Sequence, residues 1–131
     1  MAKLNAYRAQ LGAPPLAYSG GLSADAQAYV DQASPSKTHV GRKWQWQCLF
    51  WGGTVSSPTQ YLLEALDAFF AEPAGSDPHK QIAFMNPIPL AAGSTACQAP
   101  VNVGFAVNAS NPFAAFYFTC AGETPCAPNC P

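Results

Sequence analysis

The chain has 131 residues, which is enough for one domain that buries about two-thirds of the surface of its unfolded chain. Hydrophobic residues make up 49% of it and charged residues only 10%, a composition that excludes an intrinsically disordered chain and indicates a globular domain. The net charge is -1, and no run of basic residues is available to follow a phosphate backbone, so we expect no nucleic-acid partner.

The first part of the chain predicts two helices. Leu4, Tyr7 and Leu11 recur at helical spacing, and their pattern ends before a glycine and two prolines. The segment 22–33 also places its apolar side chains on one helical face. Ser23 is the candidate N-cap of this second helix.

All three tryptophans lie in the stretch 43–53, where residues 44–51 alternate with a period of two. This pattern predicts a short strand or an extended loop. The next segment, 57–60, combines an N-cap serine, a proline at the first helical position and a capping-box glutamine, and so predicts the start of a third helix. Residues 79–85 predict one or two further helical turns.

The last part of the chain predicts strands. Residues 101–107 and 113–120 are rich in β-branched and aromatic side chains, and a turn-forming segment separates them, which indicates an antiparallel hairpin. The segment 121–131 has two cysteines and no periodicity, and we expect an extended strap held by disulfides.

The five cysteines lie at irregular spacings without the CxxC pairs of a zinc ribbon, so we expect disulfides, with one cysteine left over. Several pairings are open, and we favour Cys97 with Cys120. A sequon at Asn108 is consistent with a secretory route. No secretory apolar region follows Met1 and no stretch approaches the roughly 18 apolar residues of a membrane span. We therefore predict a secreted domain without a membrane span, and that any leader was removed ahead of the first residues.

The segment 4–32 resembles the first two helices of the CAP superfamily, which comprises the cysteine-rich secretory, antigen 5 and pathogenesis-related 1 proteins. Nine residues match the family pattern in order: Asn5, Arg8, Gly12, Pro15, Leu16, Tyr18, Leu22, Ala26 and Gln27. The resemblance continues to Cys120 and is divergent in the middle of the chain. It implies a single-domain α+β fold, an α-β-α sandwich in which N-terminal helices pack on a small antiparallel sheet formed largely by the C-terminal hairpin. Residues 1–120 would form this CAP-like domain and residues 121–131 the strap.

The family also has a cleft in which two histidines and two acidic residues hold a divalent metal in some members. The resemblance places His39, Glu72 and His79 in this set, and two imidazoles with a carboxylate and water can complete a zinc site. The family glutamate on the strand is replaced by Gln47, or by Gln45 if the alignment shifts. An amide is a poorer zinc ligand than a carboxylate and cannot act as a general base.

The tryptophan segment lies beside this cleft in the resemblance. Trp44, Trp46, Gln47 and Trp51 are therefore candidates for lining a pocket for a sterol, an acyl chain or a sugar ring, and the alternative is that the aromatic side chains only fill the core. We expect a secreted protein that binds a sterol or another lipid in a defence or host-interaction role. A divalent-metal-dependent hydrolase and a carbohydrate-binding wall-associated module are the alternatives. No Gly-x-Ser-x-Gly elbow fixes a nucleophile, so binding is favoured over catalysis. The oligomeric state is not set by the sequence.

Overall fold

The computed structural model describes residues 1–33, 39–73, 78–89 and 97–130. Its helices are α1 (Ala2–Gln10), α2 (Gly20–Gln32), α3 (Pro58–Ala71) and α4 (Pro78–Phe84), and its strands are β1 (Ala17–Tyr18), β2 (Trp46–Trp51), β3 (Asn102–Asn108) and β4 (Phe113–Thr119). The α+β class is confirmed, as are the four predicted helical segments. None of the helices in these ranges is long and apolar enough to cross a membrane.

The four strands form one sheet in the order β1-β3-β4-β2. The predicted hairpin of β3 and β4 is confirmed, and β2 adds to it in antiparallel orientation as an edge strand. β1 pairs in parallel with β3 through Ala17 and Tyr18. Sequence analysis missed β1 because two residues are too few to show an alternating pattern.

Helices cover both faces of the sheet, which confirms the α-β-α sandwich. Successive residues of a strand point to opposite faces, and here each face has its own core. Cys48 and Phe116 pack into the core shared with α1, α3 and α4. Leu49 and Tyr117 pack into the core beneath α2. The sheet therefore separates two layers of helices, with α1, α3 and α4 on one face and α2 on the other.

Side-chain caps fix where two of the helices begin. The predicted cap of α3 is confirmed, since Ser57 Oγ accepts a hydrogen bond from Gln60 N at 3.1 Å. The prediction of Ser23 as the cap of α2 is wrong: the helix begins one turn earlier, and Ser19 Oγ accepts from Leu22 N at 3.2 Å. Ser23 Oγ instead accepts from Phe105 N at 3.0 Å, which ties α2 to β3.

Two disulfides are present, and the predicted Cys97–Cys120 pair is one of them. The other joins Cys126 to Cys130, four residues apart, and so closes a small ring within the C-terminal strap, which we call the tail. We expected disulfides to hold this tail on the domain, and this disulfide does not do so. Hydrogen bonds make that attachment: Cys126 N and Ala127 N donate to Lys43 O at 3.1 and 3.4 Å. Cys48 remains a buried thiol.

The sequon asparagine, Asn108, is part of the hairpin turn. Its Oδ1 accepts hydrogen bonds from Ser110 N and Asn111 N, both at 3.1 Å. Its Nδ2 donates to Val30 O at 3.1 Å, which ties the turn to α2. These hydrogen bonds give the Asn108 side chain a structural function in the turn. Glycosylation, which would attach a glycan to Nδ2, stays a prediction.

Candidate functional site

The residues predicted to form a polar centre lie on the edge strand β2, on the segment that precedes it, at the end of α3 and in α4. Gln47 lies on β2 itself, and Glu72 is the C-cap residue of α3. His79 is in the first turn of α4, and His39 lies in the segment between α2 and β2. The structure groups them as two hydrogen-bonded pairs, each consisting of a histidine and a side-chain oxygen.

The first pair is Glu72 with His79. Glu72 Oε1 lies 2.7 Å from His79 Nδ1, and Oε2 accepts from Lys80 N at 3.3 Å. The ring of Phe69 stacks on the imidazole with centroids 4.7 Å apart. Both partners are about four-fifths buried. The carboxylate and the phenyl ring therefore fix the plane of the His79 ring, with Nδ1 donating to Glu72 Oε1.

The second pair is His39 with Gln47, whose Nδ1 and Oε1 atoms are 2.9 Å apart. An amide oxygen only accepts, so Nδ1 of His39 donates, and in the neutral ring Nε2 carries the lone pair. Burial lowers the pKa of His39, and the nearby charges of Arg42 and His79 lower it further, against the opposite effect of the Gln47 hydrogen bond. His39 is therefore neutral at pH 7, and it lies within electrostatic range of His79.

Gln47 connects His39 to the interior of the sheet. Only 3% of Gln47 is exposed, and its Nε2 makes no hydrogen bond of good geometry. Its cross-strand neighbour is Tyr117, whose hydroxyl accepts from Lys43 N at 3.1 Å. Burial raises the pKa of Tyr117 to about 12, while the hydrogen bond from Lys43 N opposes that rise. Gln47 therefore links His39 to the paired strands β2 and β4.

Tyr117 gives the fold a measurable response to alkaline pH. Its pKa in the folded state is about 12 against an ordinary value of 10.0, so folding favours the neutral phenol. This contribution to the free energy of unfolding is complete below pH 10 and is lost as the pH rises through 12. We expect stability to fall across that window in urea titrations. The fall should be smaller in Tyr117→Phe, and an equal fall in both proteins would contradict the assignment.

The predicted metal ligands do not form a closed set of three. Within the described ranges, the group of three potential ligand atoms that lies within 4.8 Å is Cys97, Cys120 and Glu123. Both oxygens of Glu72 accept hydrogen bonds, so this carboxylate orients an imidazole, as carboxylates commonly do beside a metal-binding histidine. The Nε2 atoms of His39 and His79 have the chemistry of metal ligands, and metal binding at these residues stays a prediction.

The tryptophans have three different environments. Trp46 is a core residue, and its Nε1 donates to Cys97 O at 2.7 Å. Trp44 is half-buried, and its Nε1 donates to Asp25 Oδ2 at 2.9 Å. Trp51 is 39% exposed at the end of β2. Trp46 and Gln47 are consecutive on a strand and so point to opposite faces of the sheet. Ligand binding at these residues stays a prediction.

A cavity that sequence analysis did not identify lies between α1, α3 and the sheet. It has a volume of about 110 Å³. Its walls are six apolar side chains: Leu4, Leu62, Leu63, Leu66, Phe105 and Phe116. Met1 and Thr59 also line it. The sequence feature that could have indicated this cavity is the adjacent pair Leu62 and Leu63, which makes the apolar face of α3 wider than a single contact with the sheet requires.

Comparison with known proteins gives one positive finding. No curated protein matches the chain. The model of the CAP family, the cysteine-rich secretory protein family, matches residues 1–121. This range includes all four helices, all four strands and both histidine pairs. Because the match covers nearly the whole chain, the protein belongs to the CAP family.

Proposed function

We propose that this protein binds an apolar ligand, and that the ligand is an acyl chain of a lipid. The observation that carries the proposal is the cavity between α1 and α3, whose walls are leucine and phenylalanine side chains. Burial of an acyl chain there removes apolar surface from water, at about 0.8 kcal/mol for each methylene group.

The size of the cavity favours a chain over a sterol. Pockets that enclose a whole drug-sized ligand have volumes of roughly 300 Å³ or more, and this cavity has about 110 Å³. At about 30 Å³ for a water-sized group, it holds about four such groups. A flexible acyl chain can insert its end into this space, whereas a fused ring system cannot enter in part without leaving most of its apolar surface in water.

The rim of the cavity favours a negatively charged head group. Thr59 is in the first turn of α3 and lines the cavity. The positive end of the helix dipole lies at this turn, and it stabilises nearby negative charge. A fatty acid with its carboxylate near Thr59 and its chain among the leucines satisfies both features.

Titration with a fluorescent fatty acid tests the proposal. Leu63 is half-buried on the cavity wall, so Leu63→Asp places a charge in the path of the chain without removing a fully buried side chain. We expect at least about tenfold weaker binding, equivalent to about 1.4 kcal/mol. Leu11→Asp is the matched control, because Leu11 is 40% exposed at the far end of α1. Equal affinity of Leu63→Asp and Leu11→Asp for the probe would refute the proposal.

We further propose that the protein acts outside the cell, in a defence or host-interaction setting. The two disulfides support an oxidising compartment. The amount of disulfide-bonded protein in the culture medium of the producing cells, compared with the cell lysate, tests this localisation. Recovery of only the reduced, intracellular protein would contradict it.

The two histidine pairs support a second candidate function, which is binding of a divalent metal and hydrolysis that depends on it. The specific observation is that each imidazole has its Nδ1 held by a side-chain oxygen. A metal bound to both Nε2 atoms would supply a polarised water molecule. His39 is neutral at pH 7, and neutral imidazole is the form that binds metals.

A further inference from the structure

A cluster separate from the two histidine pairs and the apolar cavity consists of Cys97, Cys120 and Glu123. Their two sulfur atoms and a carboxylate oxygen all lie within 4.8 Å of one another. Cys97 is buried, and the other two residues are half-buried. In the oxidised protein the sulfurs are bonded to each other and cannot act as thiolate ligands. We propose that reduction of this disulfide creates a binding site for a thiophilic divalent cation such as Zn²⁺, with two thiolates and the Glu123 carboxylate as ligands.

The two cysteines are held in place by contacts other than their disulfide. Trp46 Nε1 donates to Cys97 O at 2.7 Å, and Ile88 N donates to the neighbouring Gln98 O at 2.7 Å. Cys120 directly follows β4, where Val101 N donates to Thr119 O at 2.9 Å. Because these bonds do not involve sulfur, they persist on reduction and keep the two thiols adjacent.

The spacing of the cluster suits a metal ion. A tetrahedral zinc site with Zn–S bonds of about 2.3 Å has its sulfurs about 3.8 Å apart, a separation that the 4.8 Å cluster can accommodate. The Cα atoms of Cys97 and Cys120 are 5.5 Å apart, so the chains need not separate. The thiols have only to rotate as the sulfur atoms move from bonding distance to ligand distance.

Glu123 is already held at this position. Its Oε1 accepts a hydrogen bond from Cys120 N at 3.0 Å. This hydrogen bond holds the Glu123 carboxylate next to Cys120, where it can reach a cation bound by the two sulfur atoms.

The cluster also has a route to solvent. Cys120 and Glu123 line a cavity of about 400 Å³ at the N-terminal end of α2. An ion can reach the two residues through this space, and a water molecule within it can occupy the fourth coordination position. Three protein ligands with one water is the arrangement of an open zinc site.

The proposed step requires an external two-electron reductant. A phosphine transfers two electrons to the disulfide and, with one water molecule, yields two thiols and a phosphine oxide; in a cell, two small-molecule thiols would be oxidised to their disulfide instead. The metal ion then binds both sulfurs and displaces their two protons to solvent. The oxidation state of the metal does not change. The site forms when the Cys97–Cys120 disulfide is reduced and is lost when the disulfide forms again.

Anaerobic titration with Co²⁺ tests the proposal, because thiolate ligands to Co²⁺ give charge-transfer absorption in the near ultraviolet. The background is Cys48→Ser with Cys126→Ser and Cys130→Ser, which leaves only the proposed pair of cysteines. We expect one Co²⁺ to bind the phosphine-reduced protein with this absorption, Zn²⁺ to displace it, and the oxidised protein to give none. Glu123→Gln should weaken Co²⁺ binding at least about tenfold while leaving near-ultraviolet circular dichroism unchanged.

The matched control keeps the other pair. In Cys48→Ser with Cys97→Ser and Cys120→Ser, the reduced Cys126 and Cys130 should give no such absorption at equal Co²⁺. Equal absorption in both proteins would overturn the proposal, as would equal affinity in Glu123→Gln. So would a reduced protein that loses its near-ultraviolet circular dichroism and does not recover it with Co²⁺.

Discussion

A Gly104→Ala variant is expected to lose at least about 3 kcal/mol of unfolding free energy. Gly104 lies on β3 directly beneath α2, and a Cβ atom built there would be 2.3 Å from Ser23 N and 2.4 Å from Leu22 C. Both are backbone atoms, so no side-chain rotation relieves the overlap. The helix must move away from the sheet, which also breaks the hydrogen bond between Phe105 N and Ser23 Oγ.

Urea denaturation followed by circular dichroism measures this loss. Gly20→Ala is the matched control, since it makes the same chemical change at the start of α2, where no atom beyond the adjacent residues and the backbone of the helix itself lies within 4 Å of the added methyl group. We expect this control to be as stable as the unchanged protein or slightly more stable, because alanine favours a helix over glycine. A Gly104→Ala protein within about 1 kcal/mol of the control would show that α2 does not contact β3 this closely.

A Gln47→Glu variant is expected to raise the pKa of His39 by about one to three pH units. The new carboxylate would lie where Gln47 Oε1 now lies, 2.9 Å from His39 Nδ1, and would favour the imidazolium form. His39 now has a lowered pKa and is neutral at pH 7, so the variant should retain its charge to higher pH. The same carboxylate should strengthen Zn²⁺ binding in the cleft at least about tenfold, since it orients the imidazole more strongly than an amide does.

Two measurements test this result. Histidine ring resonances give the pKa in an NMR titration, and calorimetry gives the Zn²⁺ affinity. Gln45→Glu is the control, because it places the same charge two residues earlier in the chain. His39→Ala combined with His79→Ala should abolish Zn²⁺ binding if both rings contribute. A His39 pKa that is the same in Gln47→Glu and in the unchanged protein would show that residue 47 does not contact the ring in solution.

Local signals were sufficient to predict much of the fold. The cap of α3 joins atoms only three residues apart, and the strands of the hairpin each show their own pattern, so these features follow from short segments. The prediction of the α2 cap was wrong because the sequence alone allows either Ser19 or Ser23 to accept a hydrogen bond from the first turn of the helix. The choice depends on Phe105 N, which is 82 residues from Ser23 and takes the Ser23 hydroxyl.

The site depended more on long-range contacts. Family resemblance placed His39, Gln47, Glu72 and His79 near one another, and the structure pairs them. The link from Gln47 to Tyr117 is a cross-strand register that periodicity alone does not define. Trp46 was predicted to contact a ligand because the sequence shows that a large aromatic side chain is present but does not show what surrounds it. The partner of its indole N–H is a carbonyl 51 residues away.

The tail ring closed by Cys126 and Cys130 has a consequence for the position of His39. Its backbone donates hydrogen bonds to Lys43 O, and the neighbouring Arg42 N donates to His39 O at 3.2 Å. The ring lies beyond residue 121, where the family match ends. We therefore expect that a change in residues 126–130 alone, by altering the hydrogen bonds to Lys43 O, displaces the adjoining segment and changes the position of the His39 ring relative to Gln47.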